Sequence, residues 1–150
     1  MSEHKATIKW KREIEDFSYF KYDRTHEWIF EGGQIIKASA AIAYLGKPEF
    51  VNPEDALAAS LSSCHMLTFL AIASRKRMVI DYYEDQAVAI MEKNDKGKLA
   101  ITKCYLRPKI IFSGTNIPTK EQIIEMHHLS HDECFIVNSV LTEVIVEPVF

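Results

Sequence analysis

The chain has 150 residues, 47% of them hydrophobic and 26% charged, which is the make-up of one soluble globular domain with a sizeable core. A formal net charge of −3 supplies no basic patch for nucleic acid and no attraction to anionic membranes. The N-terminus, MSEHKATIKWKREIE, is too charged for a secretory signal. Three widely spaced cysteines form no disulfide framework, so the expected compartment is the cytoplasm, where thiols stay reduced.

In chain order, Ala6, Ile8 and Trp10 alternate with Thr7, Lys9 and Lys11 and predict a half-buried strand. After the polar stretch EIEDFSYFKYDRTH, Glu27 to Phe30 and Gln34 to Ala38 predict a hairpin around Glu31-Gly32-Gly33. A loop from Tyr44 to Val51 leads into Asn52–Arg77, which reads as one long central helix. Asn52 suits the N-cap and Pro53 the first helical position. Glu54 and Asp55 at the start, with Arg75, Lys76 and Arg77 at the end, complement the helix dipole. No charge occurs between Ala56 and Ala73, so the helix is expected to be buried on every side. Its length would suit a membrane span, but several Ser, Thr and His positions and the lack of a second apolar segment argue against one.

Beyond Met78–Ile80 the pattern returns to strands. Gln86–Glu92 and Lys98–Phe112 flank the turn Asn94-Asp95-Lys96-Gly97 and predict a long hairpin. Ala100, Thr102, Cys104, Leu106, Ile110 and Phe112 then share one face, which makes Cys104 a packing residue. Thr119 and Gln122 form a capping box for a helix from Lys120 to about His131, and Asp132 is placed to cap a further short helix. A strand around Val144–Val146 precedes Pro148. No repeat, low-complexity tract or linker divides the chain, so the expectation is a single α+β domain spanning residues 1–150.

Two thiols are chemical candidates. Cys64 lies among Ala58, Ala59, Ser60, Ser62 and Ser63, small side chains that let another backbone approach. Cys134, in HHLSHDECFIVNSV, falls in the first turn of the helix expected after Asp132, where the dipole favours a thiolate while the capping carboxylate opposes it. Either cysteine could also be a small buried hydrophobe.

Asn52-Pro53-Glu54 followed by AAS-LSSCH, together with HHLSHDEC-FIVNSV around Cys134, resembles the OsmC/Ohr family of osmotically inducible and organic-hydroperoxide-resistance proteins. The resemblance implies an OsmC-like fold, with a long central helix packed against antiparallel sheet in an intertwined homodimer. It implies a thiol peroxidase that needs no cofactor, takes a hydroperoxide as substrate and is reset by an external dithiol such as a lipoylated protein. By the same analogy Cys64 attacks the peroxide, Cys134 resolves the intermediate, and Glu54 pairs with an arginine. A thiolate inside an apolar helix needs a cation, and an oriented guanidinium serves. Arg24, in YDRTHEW, is the best match for that arginine, and Arg12 is the alternative. Members typed as organic hydroperoxide reductases tend to follow the two cysteines with Phe and Pro; here His65 and Phe135 follow. The thiol pair therefore transfers better than the substrate does.

Two other readings stand beside this one. His127, His131 and Cys134, at i, i+4 and i+7, would align as metal ligands on an unbroken helix, or the histidines would simply be solvated on a polar face. Alternatively, the domain binds an apolar ligand without catalysis.

Helix geometry adds an expectation about assembly. Ten residues of helix separate Glu54 from Cys64 by about 15 Å along the axis, with their side chains facing about 80° apart. An antiparallel second copy crossing at Ala59 would bring Glu54 of one subunit beside Cys64 of the other.

Overall fold

The computed structural model describes residues 1–150, which divide into two compact units, Met1–Ala56 and Leu57–Phe150. In the first, β1 (Ala6–Lys9), β2 (His26–Phe30) and β3 (Ile35–Ala38) form an antiparallel sheet in that order. The β2–β3 hairpin is the one the sequence predicts. Gly33 supplies its positive φ of 84°, and its N–H bonds the Phe30 carbonyl at 2.9 Å. At a second glycine the constraint is space: a Cβ on Gly46 would overlap the Ala40 carbonyl oxygen.

β1 departs from expectation, because all four of its residues are exposed, Ile8 included, and Trp10 lies past its end. Trp10 instead joins Phe17 and Tyr22 in an aromatic cluster with ring centroids 5.1–6.3 Å apart, and its indole N–H donates to the Asp23 carbonyl at 2.8 Å.

The long helix α1 (Pro53–Arg75) starts in the first unit and continues through the second. Its N-terminus is capped as the sequence requires, with Asn52 Oδ1 accepting the Asp55 N–H at 2.9 Å. It ends two residues earlier than Arg77. The Met78 N–H reaches the Ala73 carbonyl and the Arg77 N–H the Ser74 carbonyl, with Arg77 at φ 58°. That is a Schellman closure built on a non-glycine residue.

Within the second unit, β4 (Val79–Asp85) pairs antiparallel with β7 (Pro108–Ser113). The other sheet has the order β5 (Val88–Lys93), β6 (Leu99–Leu106), β8 (Glu143–Val146), with β5–β6 antiparallel and β6–β8 parallel. The single strand expected from Lys98 to Phe112 is therefore two strands in two sheets. Pro108 has no N–H to continue the β6 ladder, and the Arg107 N–H is taken by Asp85 Oδ1 at 2.6 Å, so the chain changes sheets there. The Asn94–Gly97 turn holds, with Asn94 Oδ1 accepting the N–H groups of Lys96 and Lys98.

The second helix, α2 (Lys120–Glu133), carries the full Thr119–Gln122 capping box. It runs two residues past His131, so Asp132 lies inside it and caps nothing. Only a 3-10 turn, Val137–Ser139, follows.

α1 is not buried on every side within this chain. Its buried residues are Ala58, Leu61, His65, Phe69 and Ala73, spaced three or four apart as one stripe, while Leu67 on another flank is 60% exposed. The stripe feeds two core clusters. Ala58 and Leu61 pack with Cys104, Leu106 and Val144; Phe69 and Ala73 pack with Met78 and Met126. Cys104 is fully buried in the first, a packing residue whose thiol burial holds above its ordinary pKa. His65 sits between the two clusters along the stripe.

Candidate functional site

Cys64 lies in mid-helix on a half-buried flank of α1, where its carbonyl accepts the Thr68 hydroxyl one turn on, at 2.9 Å. The same flank, through Leu67, Thr68, Ala71, Ile72 and Arg75, floors a cavity of about 760 Å³ closed by Leu129, Glu133, Phe135 and Ile136. Apart from Arg75 and Glu133, the lining is apolar or carries only hydroxyl and thiol groups. Arg75, read from sequence only as a complement to the helix dipole, is thus the one cation lining the cavity with the thiol. Its spacing from Cys64, eleven residues or about three turns, carried that signal.

Cys134 is the first residue beyond α2, not a member of a helix N-terminal turn. It therefore stands at the negative end of the α2 dipole, the opposite of the expected placement. The turn after it is tied down by Asn138. Its N–H donates to the Cys134 carbonyl at 3.0 Å, and its side-chain amide donates to the Asp132 and Cys134 carbonyls. The Cys134 side chain is wholly buried, and its thiol lies beside that of Cys64. Burial first, and the neighbouring Cys64 thiol second, push its pKa up to about 11, against the pull of the Val137 and Ile136 N–H groups. The proton accordingly stays on Cys134, and the half-buried Cys64 is the partner that lines the cavity.

Arg24 and Glu54 both line a cavity of about 680 Å³ in the first unit, with Trp10, Phe17, Tyr19 and Tyr22 among its walls. They do not form the expected ion pair. The Arg24 guanidinium donates to the carbonyls of Tyr22 (3.0 Å) and Tyr19 (2.8 Å) and lies over both tyrosine rings, 4.0 and 5.1 Å from the centroids. Glu54 keeps one carboxylate oxygen buried with no hydrogen-bond partner. Arg12, the alternative arginine, is exposed, bonds the Glu15 carbonyl at 2.7 Å and does not line that cavity.

No group of three or more His, Cys, Asp and Glu side chains is arranged to hold a metal ion. The His127–His131–Cys134 alignment fails because His127 is buried, 3% exposed, and turns to His65 instead. It is no solvated surface histidine either. The signal was present in sequence: Ile123, His127, Ser130 and Cys134 fall on one α2 stripe that begins with an apolar residue.

The element order, the central helix and the thiol pair can be set beside known proteins. A family model described as OsmC-like protein matches residues 46–148. The chain belongs to the OsmC-like family. A solved OsmC-like protein of unknown function from Vibrio cholerae superposes with a TM-score of 0.96 at 49% identity, covering 99% of this chain and 100% of that one. The organic hydroperoxide resistance protein OhrB of Bacillus subtilis superposes with a TM-score of 0.71 at 16% identity, over 99% of this chain and 98% of that one. For the organic hydroperoxide resistance protein from Elizabethkingia anophelis the values are 0.72 and 15%, over 99% and 94%. These two share the OsmC-like fold; at such identity the likeness extends no further. No curated protein matches the chain in sequence.

Proposed function

We propose that this OsmC-like protein is a thiol-dependent peroxidase that reduces organic hydroperoxides. The observation that carries the reading is the unequal thiol pair. Cys64 opens on an apolar cavity, while the neighbouring Cys134 is closed to solvent and keeps its proton.

In the first step the Cys64 thiolate attacks the terminal oxygen of ROOH. The O–O bond breaks, the alkoxide leaves and takes up a proton as ROH, and Cys64 becomes a sulfenic acid. The peroxide is reduced by two electrons that come from sulfur. Cys134 sulfur then attacks Cys64 sulfur, and the departing hydroxide takes the Cys134 proton to form water and a disulfide. An external dithiol restores both thiols and is itself oxidised. The apolar cavity favours an R group with hydrocarbon character and excludes water from the sulfenic acid.

Arg24 and Glu54 are assigned to thiolate stabilisation. They act in a homodimer in which each site takes its thiols from one subunit and Glu54 from the other. Three features support that assembly: the continuity of α1 from Pro53 to Arg75, its exposed apolar flank, and the unpartnered Glu54 oxygen.

The test is to add stoichiometric organic hydroperoxide to the reduced protein and map the products by mass. A Cys64–Cys134 disulfide is expected, with loss of peroxide. Undiminished peroxide consumption by Cys64→Ser would overturn the assignment. An apolar-ligand module with inert thiols would show neither disulfide nor consumption.

A further inference from the structure

Two imidazoles lie in the core of the second unit and take no part in the thiol chemistry. His65 is 0% exposed and His127 3%. His65 Nε2 and His127 Nδ1 are 3.0 Å apart, and the ring planes differ by only 8°. The centroid separation, 5.3 Å, exceeds the nitrogen separation by one ring's width. The rings therefore meet edge to edge in a common plane, as a directed N–H···N hydrogen bond requires, rather than face to face.

As a stabilising element the pair is a poor choice. One ring donates and the other accepts, so one N–H and one lone pair are left over. These fall on His65 Nδ1 and His127 Nε2, both buried without a partner. Two apolar side chains of similar shape would avoid that desolvation cost. What they would not supply is direction. The contacts among Phe69, Ala73 and Met126, with the Phe69 ring 4.3 Å from that of His127, are apolar and tolerate sliding. Ser130, also buried on α2, spends its hydroxyl on its own helix, at the Met126 carbonyl. Apart from the thiol contact itself, the imidazole bond is the one side-chain hydrogen bond that joins α1 to α2.

Its position along both helices gives it leverage on the thiols. His65 directly follows Cys64 on α1. On α2, His127 precedes Cys134 by seven residues, two turns that return to within about 20° of the same face. A slip of α2 by one residue would shift Cys134 by about 1.5 Å and turn it by about 100°.

We propose that the His65–His127 hydrogen bond is a register clamp that holds Cys134 against Cys64, making both histidines positioning residues for disulfide closure. The clamp deepens the peroxidase reading and rests on it for its role in turnover, but its effect on the thiol pair is measurable without peroxide. In equilibrium with dithiothreitol, the two thiols pass two electrons and two protons to the oxidised dithiol and form the Cys64–Cys134 disulfide. The equilibrium constant reads how well the thiols are held together.

His127→Phe keeps a ring and removes the bond. It should lower that constant, and the rate of closure after Cys64 oxidation, by about tenfold or more, as misplacements near 1 Å do. Cys64 sulfenic acid should then accumulate, with the first, peroxide-consuming step unchanged. In the double variant His65→Gln/His127→Asn, the amides place polar atoms where Nε2 and Nδ1 stood, and most of the closure should return. Should His127→Phe lose its near-ultraviolet circular dichroism, the comparison passes to His127→Gln, which keeps polarity but moves the bonding atom out of position; the same loss is expected. Wild-type closure in the single variant, or a double variant no better than the single, would overturn the clamp. Failure of every form, wild type included, to react with hydroperoxide would sink the peroxidase reading, while the dithiothreitol equilibrium would still rank the variants.

Discussion

Cys134 lies beside Cys64 in a position closed to solvent, while Cys64 itself borders an open apolar cavity. Identical side chains thus acquire different chemistry from their placement. One borders a cavity that a small molecule can enter, and burial holds the proton of the other.

The three cysteines should separate in alkylation. In the native protein at neutral pH, iodoacetamide should modify Cys64 first, with Cys134 and Cys104 reacting only on unfolding. Peptide mapping after short exposures reads the order. Labelling of Cys134 ahead of Cys64 would reverse the assigned roles.

The cation that serves the thiolate is tested by comparing three arginines. Arg24→Ala should slow Cys64 alkylation at pH 7, and Arg24→Lys should restore only part of the rate, because an ammonium lacks the planar fork. Arg12→Ala should change nothing. A slowdown in Arg75→Ala alone would assign the role to the guanidinium that shares the Cys64 cavity.

The proposed sharing of sites between subunits is tested by complementation. Cys64→Ser and Glu54→Ala subunits, each inactive as homodimers, should recover peroxidase activity when refolded together, since half of the heterodimer's sites are intact. Sedimentation should show a dimer before mixing. A fully active monomer would remove the need for Glu54 in trans.

Acid should weaken the fold through the buried imidazoles. Burial holds His65 down to about 4, with His131 adding to the effect. Burial, followed by His65 and His128, holds His127 down to about 3. In the unfolded chain both take protons near pH 6.5. The unfolded state then binds more protons below that pH, so stability is complete above about pH 6.5 and falls as pH drops toward 4 and then 3. Denaturation midpoints measured from pH 7 to 4 should fall in the wild type and stay flatter in His65→Gln/His127→Asn. The Lys47-paired carboxylate of Asp23, held near 2, loses its contribution as pH falls from about 4 toward 2, so it overlaps only the acid end of that window.

Arg77 closes α1 in the left-handed region, which costs a non-glycine residue about 1–2 kcal/mol. Arg77→Gly should raise stability by about 0.5–1 kcal/mol after glycine's own entropy is counted, read as a shift in thermal midpoint. A lower midpoint would show that the arginine side chain makes a compensating contact.

Local chemistry was legible from sequence wherever neighbours along the chain decide the outcome. Asn52 and Pro53 start α1, Thr119 and Gln122 cap α2, and Gly33 and Gly97 turn the hairpins. Each acts through the backbone of residues a few positions away, which the sequence places there by itself. The small-residue stretch ending at Cys64, and the second cysteine after α2, were legible for the same reason. What required the tertiary structure were the choices between partners far apart in the chain. Alternation alone runs straight through Pro108, and only the pairing of β6 with β8 and of β7 with β4 shows that the chain changes sheets there. The i, i+4, i+7 spacing of His127, His131 and Cys134 fits a metal face, a wet face or a buried seam equally well. The packing of α2 on α1 decided for the seam, because a helix presents a stripe and only a second surface determines what the stripe meets.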